Sequence, residues 1–286
     1  MSVVLSILVD GIAYGMILFM ISVGLSITMG LMRIINLAHG GFALVGGALV
    51  HVMTMRMGIP FAAACALAVM AVVILSLPME RFVYRHIYGF SELGQVLATI
   101  GIVFLIIATV NLFLGSTILP QGTPAILSFP INLGFKTLPL HRVVVIATGI
   151  FVLLALWLLI EKTRFGICLR AAVDNKVAAA SLGINTPRVY LSAFAIGAGL
   201  AAIGGVLGAE LLPIEAYYPL RYMVLFLIVV SVGGLGSVLG SFIASIGLGI
   251  LDTFGRYVLP DFGTIFFFLA VTALLALRPN GLMGRA

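Results

Sequence analysis

After Asp10 no charged residue occurs until Arg33, none follows until Arg56, and residues 59–79 form a third such run. Each is close to the ~20 apolar residues that an α-helix needs to cross the hydrocarbon of a bilayer. Further charge-free runs lie at residues 93–114, 143–160, 189–209, 222–251 and 262–277. Charged side chains make up only 8% of the 286 residues and hydrophobic ones 63%, so there are too few polar groups to cover a surface in water. The mean hydropathy of +1.29 says the same. The chain is solvated by lipid. The pattern predicts an all-α polytopic membrane protein with about eight transmembrane helices, within a range of roughly seven to nine, as one transmembrane domain over residues 1–286. The connections are too short for a separate nucleotide-binding or catalytic domain, so such activities must come from partners.

The net charge of +6 is spread thinly between apolar runs, which suits a role in setting topology and not nucleic-acid binding. Cys65 and Cys168 stand far apart without metal-ligand spacing, and no disulfide is expected. The opening MSVVLSILVDG has neither a basic n-region nor an A-x-A-like cleavage site, so it reads as the start of the first span. Lys and Arg then give the orientation. With residues 161–188 and the C-terminus in the cytoplasm, Arg33, Arg81 and Arg85 also fall inside, for about ten basic residues there. About five remain outside: Arg56, Lys136, Arg142, Arg221 and Arg256. The N-terminus is then outside and the number of crossings odd, so residues 222–251 cross twice or enter and return. As one helix that stretch would measure about 45 Å, short for two crossings, which favours broken or re-entrant half-helices. The cluster Glu80, Arg81, Arg85 and Glu92 reads as a loop, and Asp10 and Asp252 read as interface residues flanking spans.

Two apolar stretches are interrupted by glycine-rich sequence: GLMRIINLAHGGFALVGGALV (residues 30–50) and VSVGGLGSVLGSFIASIGLG (residues 230–249). Backbone released from a helix inside a membrane must bond protein groups or line a wet cavity. Two such breaks, one near each end of the chain, are the pattern of a transporter with two pseudo-symmetric halves and a pathway near the breaks. The candidate pathway residues are Asn36, His39, Gly40 and Gly41 with Gly233, Gly234, Gly236 and Gly240. Arg33, Asn36 and His39 put three polar side chains into seven residues of otherwise apolar sequence, costly unless they bond one another, freed backbone or water. His39 has two readings, a neutral residue pinning the broken backbone or a group lining the path. Gly204, Gly205 and Gly208 read as close-packing positions. No Asp, Glu or Lys falls near a span centre, so there is no evident proton relay or sodium carboxylate.

The longest polar stretch, residues 161–188, supplies an alternative energy input. Within it residues 171–182 form an alanine-rich helix closed by Gly183 at a C-cap. It is either a partner-docking lever between two spans or an ordinary surface helix. No G-x-x-x-x-G-K-[ST] sequence is present, so the chain itself is not an ATPase, and no catalytic set surrounds His39.

The segments INLAHGGFALVGGAL, RAAVDNKVAAASLGIN, AFAIGAGLAAIGGVLGA, GGLGSVLGSFIASIGLGIL and RPNGLMG occur in this order over nearly the whole chain. Together they resemble the permease subunits of branched-chain amino acid ABC importers, the LivH type. The resemblance implies a bacterial inner-membrane permease that catalyses no covalent chemistry. It also implies four kinds of partner: lipid, a second related permease, two ABC ATPase subunits holding ATP and Mg, and a periplasmic amino-acid-binding protein. It assigns Asp174, Ala178, Ala179, Ala180 and Gly183 to the loop that contacts the ATPase. Many relatives carry an acidic residue where this chain has Gly41. The competing reading is a passive channel for a small neutral solute such as urea, which would not need the residue 161–188 helix. Single cysteines placed across residues 161–188 are expected to react with impermeant maleimide only from the cytoplasmic side, and labelling from outside would invert the topology.

Overall fold

The computed structural model describes residues 2–32, 36–121, 127–132, 134, 137–258 and 260–283. Arg33 and Lys136, which entered the charge argument above, lie outside the described residues. Helix α1 (Ser2–Met32) is followed by α2 (His39–His51), which continues as a π-helical turn at Val52–Arg56. Helix α3 (Phe61–Met79) continues through a second π turn, Glu80–Tyr84, into α4 (Arg85–Ile87), and α5 spans Glu92–Leu114. A small antiparallel hairpin, β1 (Pro130–Asn132) and β2 (Thr137–Pro139), sets Ile131 opposite Leu138. Helix α6 (Leu140–Lys162) leads to the short α7 (Arg164–Asp174) and α8 (Lys176–Ser181). The chain then runs through α9 (Thr186–Gly208), α10 (Tyr218–Gly233), α11 (Val238–Val258) and α12 (Gly263–Leu277). Six helices among the described residues are long and apolar enough to cross a membrane, and Tyr218–Gly233 and Gly263–Leu277 are shorter apolar helices. The architecture is all-α and polytopic, as the charge-free runs predict.

Helices α1 and α9 form the centre. α1 runs antiparallel to α11, because a Cβ at Gly15 would press on Ser245 O and Ile246 Cα, one at Gly11 on Ile250 Cα, and Phe19 packs edge-on to Phe242 at 5.4 Å. α9 lies in the angle between α1 and α2, with Gly204 against Ile21, Gly208 against Ile17 and Gly205 against the backbone of Ala43. These are the close-packing roles expected of the three glycines. Helices α3, α5 and α6 surround this centre and turn large apolar side chains outward, among them Ile74, Leu112, Phe113 and Phe151. Such a surface is matched to lipid.

Residues 222–251 are broken at Gly234 into α10 and α11, an antiparallel pair of 16 and 21 residues joined by a tight turn. The charge-free window was too narrow because the helices incorporate paired charges. α11 runs on past Asp252 and Arg256, whose side chains bond at 2.9 Å one turn apart, and α10 begins before Arg221, which binds Glu215 at 2.6 Å. Asp10 likewise sits within α1, paired with Arg142 of α6. Glu80, Arg81 and Arg85, expected in a loop, are helical, and Glu80 is buried. The Gly205–Ala43 approach gives a direct test: Gly205→Val should lower the thermal midpoint of the purified protein, costing about 1–3 kcal/mol. Gly101→Ala, within α5 and with nothing within 4 Å of the new Cβ, should not lower it.

Candidate translocation and coupling sites

Between α1 and α2 the backbone leaves the helix, and its freed groups are satisfied from three directions. Asn36 is 1% exposed, and its Oδ1 accepts from Ala38 N at 3.1 Å and from the Tyr84 hydroxyl at 2.9 Å. Leu37 N donates to Thr99 Oγ1 of α5 at 3.3 Å, and Gly41 N donates to Ala38 O at 2.9 Å. His39 is fully enclosed, with Nε2 3.1 Å from Ile21 O, to which it donates in the Nε2–H tautomer. Rings close the cluster: His39 is edge-on to Phe42, Phe42 to Phe194, and Phe194 leans on Tyr84 at 4.6 Å. Gly40 faces Pro219 and Phe226 of α10, and Gly41 faces Ile106 of α5. Arg33, the third polar residue of this stretch, lies outside the described residues.

The second glycine group is a hairpin turn. Gly234 (φ 94°) and Gly236 (φ 80°) adopt left-handed backbone that other residues resist. Gly233 and Gly240 lie backbone to backbone across the turn, and Gly236 N donates to Ser26 Oγ of α1 at 3.2 Å. A groove of about 630 Å³ opens beside this turn, lined by Gly30, Trp157, Glu161, Arg170, Asp174 and Gly236 among others. The structure thus brings Asp174 and Gly236, one from each set of candidate residues, into the same groove. Asn36, His39, Gly40 and Gly41 form a separate enclosed cluster that does not line it. Among the described residues no group of three or more His, Cys, Asp or Glu is placed to hold a metal.

The predicted single helix over residues 171–182 is two. Asn175 leaves helical geometry (φ −152°, ψ 100°), and its Oδ1 accepts from Val177 N and Ala178 N, ending α7 and starting α8. Gly183 (φ 84°) closes α8 as foreseen. Its N–H reaches Ala180 O while Ile184 N reaches Ala179 O, the paired bonds of a Schellman motif. Asp174, Ala178, Ala180 and Gly183 are exposed, whereas Ala179 points inward at 2% exposure. α7 is tied to α6 by Arg170 Nη1 donating to Ile160 O at 2.6 Å, and Asn185 Oδ1 caps the start of α9 at Arg188 N. At this end Tyr88 OH donates to Glu80 Oε1 at 3.0 Å. Burial, reinforced by that carboxylate, raises the Tyr88 phenol above its ordinary pKa and keeps it protonated.

Residues 7–276 match the family described as branched-chain amino acid transport system, permease component. The chain belongs to this permease family. It is 28% identical to the high-affinity branched-chain amino acid transport system permease protein LivH of Escherichia coli K12, over 96% of this chain and 94% of that one. It is 26% identical to BraD of Pseudomonas aeruginosa, covering 97% and 95%, and 27% identical to the probable LivH of Methanocaldococcus jannaschii, covering 97% and 92%. In fold the permease is similar to a chain in the solved structure of PsaBC from Streptococcus pneumoniae in complex with Fab. The TM-score is 0.50 at 11% identity, over 94% of this chain and 89% of that one.

Sequence reading of the permease missed Tyr84 and Thr99, which reach the break from the π turn after α3 and from α5, because nothing local in the chain marks a partner so distant. It also missed Asn175, Val177 and Leu182. The last two were findable, as large apolar side chains in the most polar stretch, and they stand 76% and 82% exposed. Asn36→Ala removes the acceptor for both Tyr84 OH and Ala38 N and is expected to cost about 1–3 kcal/mol in thermal unfolding of the permease. Tyr84→Phe, which leaves the Ala38 bond intact, should cost about 1 kcal/mol.

Proposed function

We propose that this permease is the membrane subunit of an ATP-driven importer for branched-chain or other small neutral amino acids. In this reading it works in the bacterial inner membrane beside a second related permease, with its N-terminus outside and C-terminus in the cytoplasm. A periplasmic binding protein delivers substrate, and two ATPase subunits hold ATP and Mg. The chain binds no cofactor of its own.

The observation that carries this reading is the α7–α8 pair. Two short helices with fixed caps stand between α6 and α9, and α8 exposes Val177, Ala178 and Leu182 at the end of the bundle. Exposed apolar side chains flanked by small ones fit a groove on a partner surface, and membership of the permease family supports an ATPase as that partner. Closure of the ATPase pair displaces α8. Because Asn175 and Gly183 fix both of its ends, and Arg170 ties α7 to α6, the displacement passes to α6 and α9 as tilting of whole helices. Substrate then crosses along surfaces that the broken α1–α2 segment and the Gly234–Ser237 turn help to shape.

Val177→Glu with Leu182→Glu tests this without disturbing the core, because both side chains are exposed and the thermal midpoint should stay within about 0.5 kcal/mol of the parent. Recovery of the ATPase subunits with the purified permease, and ATP-dependent leucine uptake into proteoliposomes, should each fall at least about tenfold, a loss of roughly 1.4 kcal/mol in docking. Undiminished uptake would refute the docking role. Solute flux through the chain alone, without ATP, would favour a passive channel instead.

A further inference from the structure

Glu80 is a carboxylate at 4% exposure in a chain that has very few acidic groups, and the import mechanism above makes no use of it. It opens the π turn Glu80–Tyr84 at the end of α3. A π turn holds more residues than the 3.6 of an α-turn, so residues four apart drift less around the axis. Glu80, Tyr84 and Tyr88 accordingly share one face, and Tyr88 OH closes back on Glu80 Oε1 at 3.0 Å. That face meets a matching pair one turn apart on α9. Tyr88 is edge-on to Tyr190 at 6.5 Å, and Tyr84 leans on Phe194 at 4.6 Å.

The two ring pairs end on different sites. Tyr190 OH donates to Ala172 O of α7 at 3.0 Å, and Lys176 Nζ of α8 lies 5.6 Å from the Tyr190 ring centre. Tyr84 OH donates to Asn36 Oδ1 at the α1–α2 break, and Phe194 packs on Phe42, which in turn meets His39. The coupling helices and the helix break therefore sit at the ends of two groups of hydrogen bonds and directional ring contacts, joined by the single helical turn between Tyr84 and Tyr88 on one side and between Tyr190 and Phe194 of α9 on the other, with Glu80 fixing the Tyr88 side chain.

We propose that Glu80, Tyr84, Tyr88, Tyr190 and Phe194 are positioning residues that transmit movement of α7–α8 to the Asn36–His39 break, so that partner ATP hydrolysis resets the backbone there. The inference rests on the coupling role proposed above. Packing alone does not require this arrangement, since apolar side chains would fill the same space without burying a carboxylate. Contiguity becomes coupling only when both ends bias one element. Here that element is the non-helical Asn36–Ala38 turn, which depends on Tyr84 OH for one of the two bonds to Asn36 Oδ1.

The test uses the full complex in proteoliposomes, measuring leucine uptake and ATP hydrolysis together. In Glu80→Ala and Tyr190→Leu, leucine moved per ATP hydrolysed is expected to fall about tenfold, the scale of known coupling effects. The double variant should be no worse than the worse single one. Glu80→Gln keeps an acceptor for Tyr88 OH and should restore the ratio to within about twofold of the parent. If Glu80→Ala does not assemble, Tyr88→Phe removes only the donor and must show the same fall. Uptake and hydrolysis declining in proportion in every variant, or Glu80→Gln matching Glu80→Ala, overturns the relay while leaving the import reading intact. A parent complex with no ATP-dependent uptake overturns both.

Discussion

Helices in a bilayer gain little from burying apolar side chains against each other, because lipid is as apolar as leucine; how near their backbones can come decides how firmly they associate. This bundle is built around that limit. α1 meets α11 through Gly11, Gly15 and Gly249, and α9 meets α1 and α2 through Gly204, Gly205 and Gly208. A methyl group at most of these positions would meet backbone, which cannot yield as a flexible side chain can. The result is an unequal structure: a tightly packed frame of α1, α9 and α11, with α3, α5 and α6 around it offering much of their surface to lipid.

A second constraint acts where the frame is interrupted. The α1–α2 break frees peptide groups buried inside the bundle, where water is scarce, and each must find a partner. Asn36 within the break accepts from Ala38 N, Thr99 of α5 accepts from Leu37 N, Tyr84 fixes the Asn36 side chain, and His39 ties the start of α2 back to Ile21. Tyr84, one of these groups, also leans on Phe194 of α9, and α9 begins next to α8. Phe194 thus places α9 against two of the rings that enclose the break. The Gly234–Ser237 turn is different in kind. It joins two helices by left-handed glycines and serves close approach more than it serves any polar network.

The sequence made the spans legible because long charge-free runs have one stable solution in lipid. Their ends were less legible. Asp252 and Arg256, Glu215 and Arg221, and Asp10 and Arg142 all looked like boundaries, yet each pair neutralises itself and lets a helix run on. Asn175 looked like a helix interior residue between Asp174 and Lys176, and its capping bonds divide the segment into α7 and α8. The glycine-rich interruptions were visible, but not their division into an enclosed polar cluster and a tight turn. That division depends on Tyr84, Thr99 and Ser26, whose contacts join distant parts of the chain. Glu80 shows the same limit, reading as a loop charge because burial is a property of the assembled bundle.

The tight seam between α1 and α11 has a bearing on how the protein is made. Gly15 and Ile246 are about 230 residues apart, so at ~5–20 residues per second the first helix waits roughly 10–50 s before its principal neighbour leaves the ribosome. During that interval a glycine-notched surface with no partner lies open in the bilayer. The insertion machinery, or transient docking on α9, must occupy the notch until the penultimate helix arrives, which makes biogenesis of this fold a matter of custody as much as of stability.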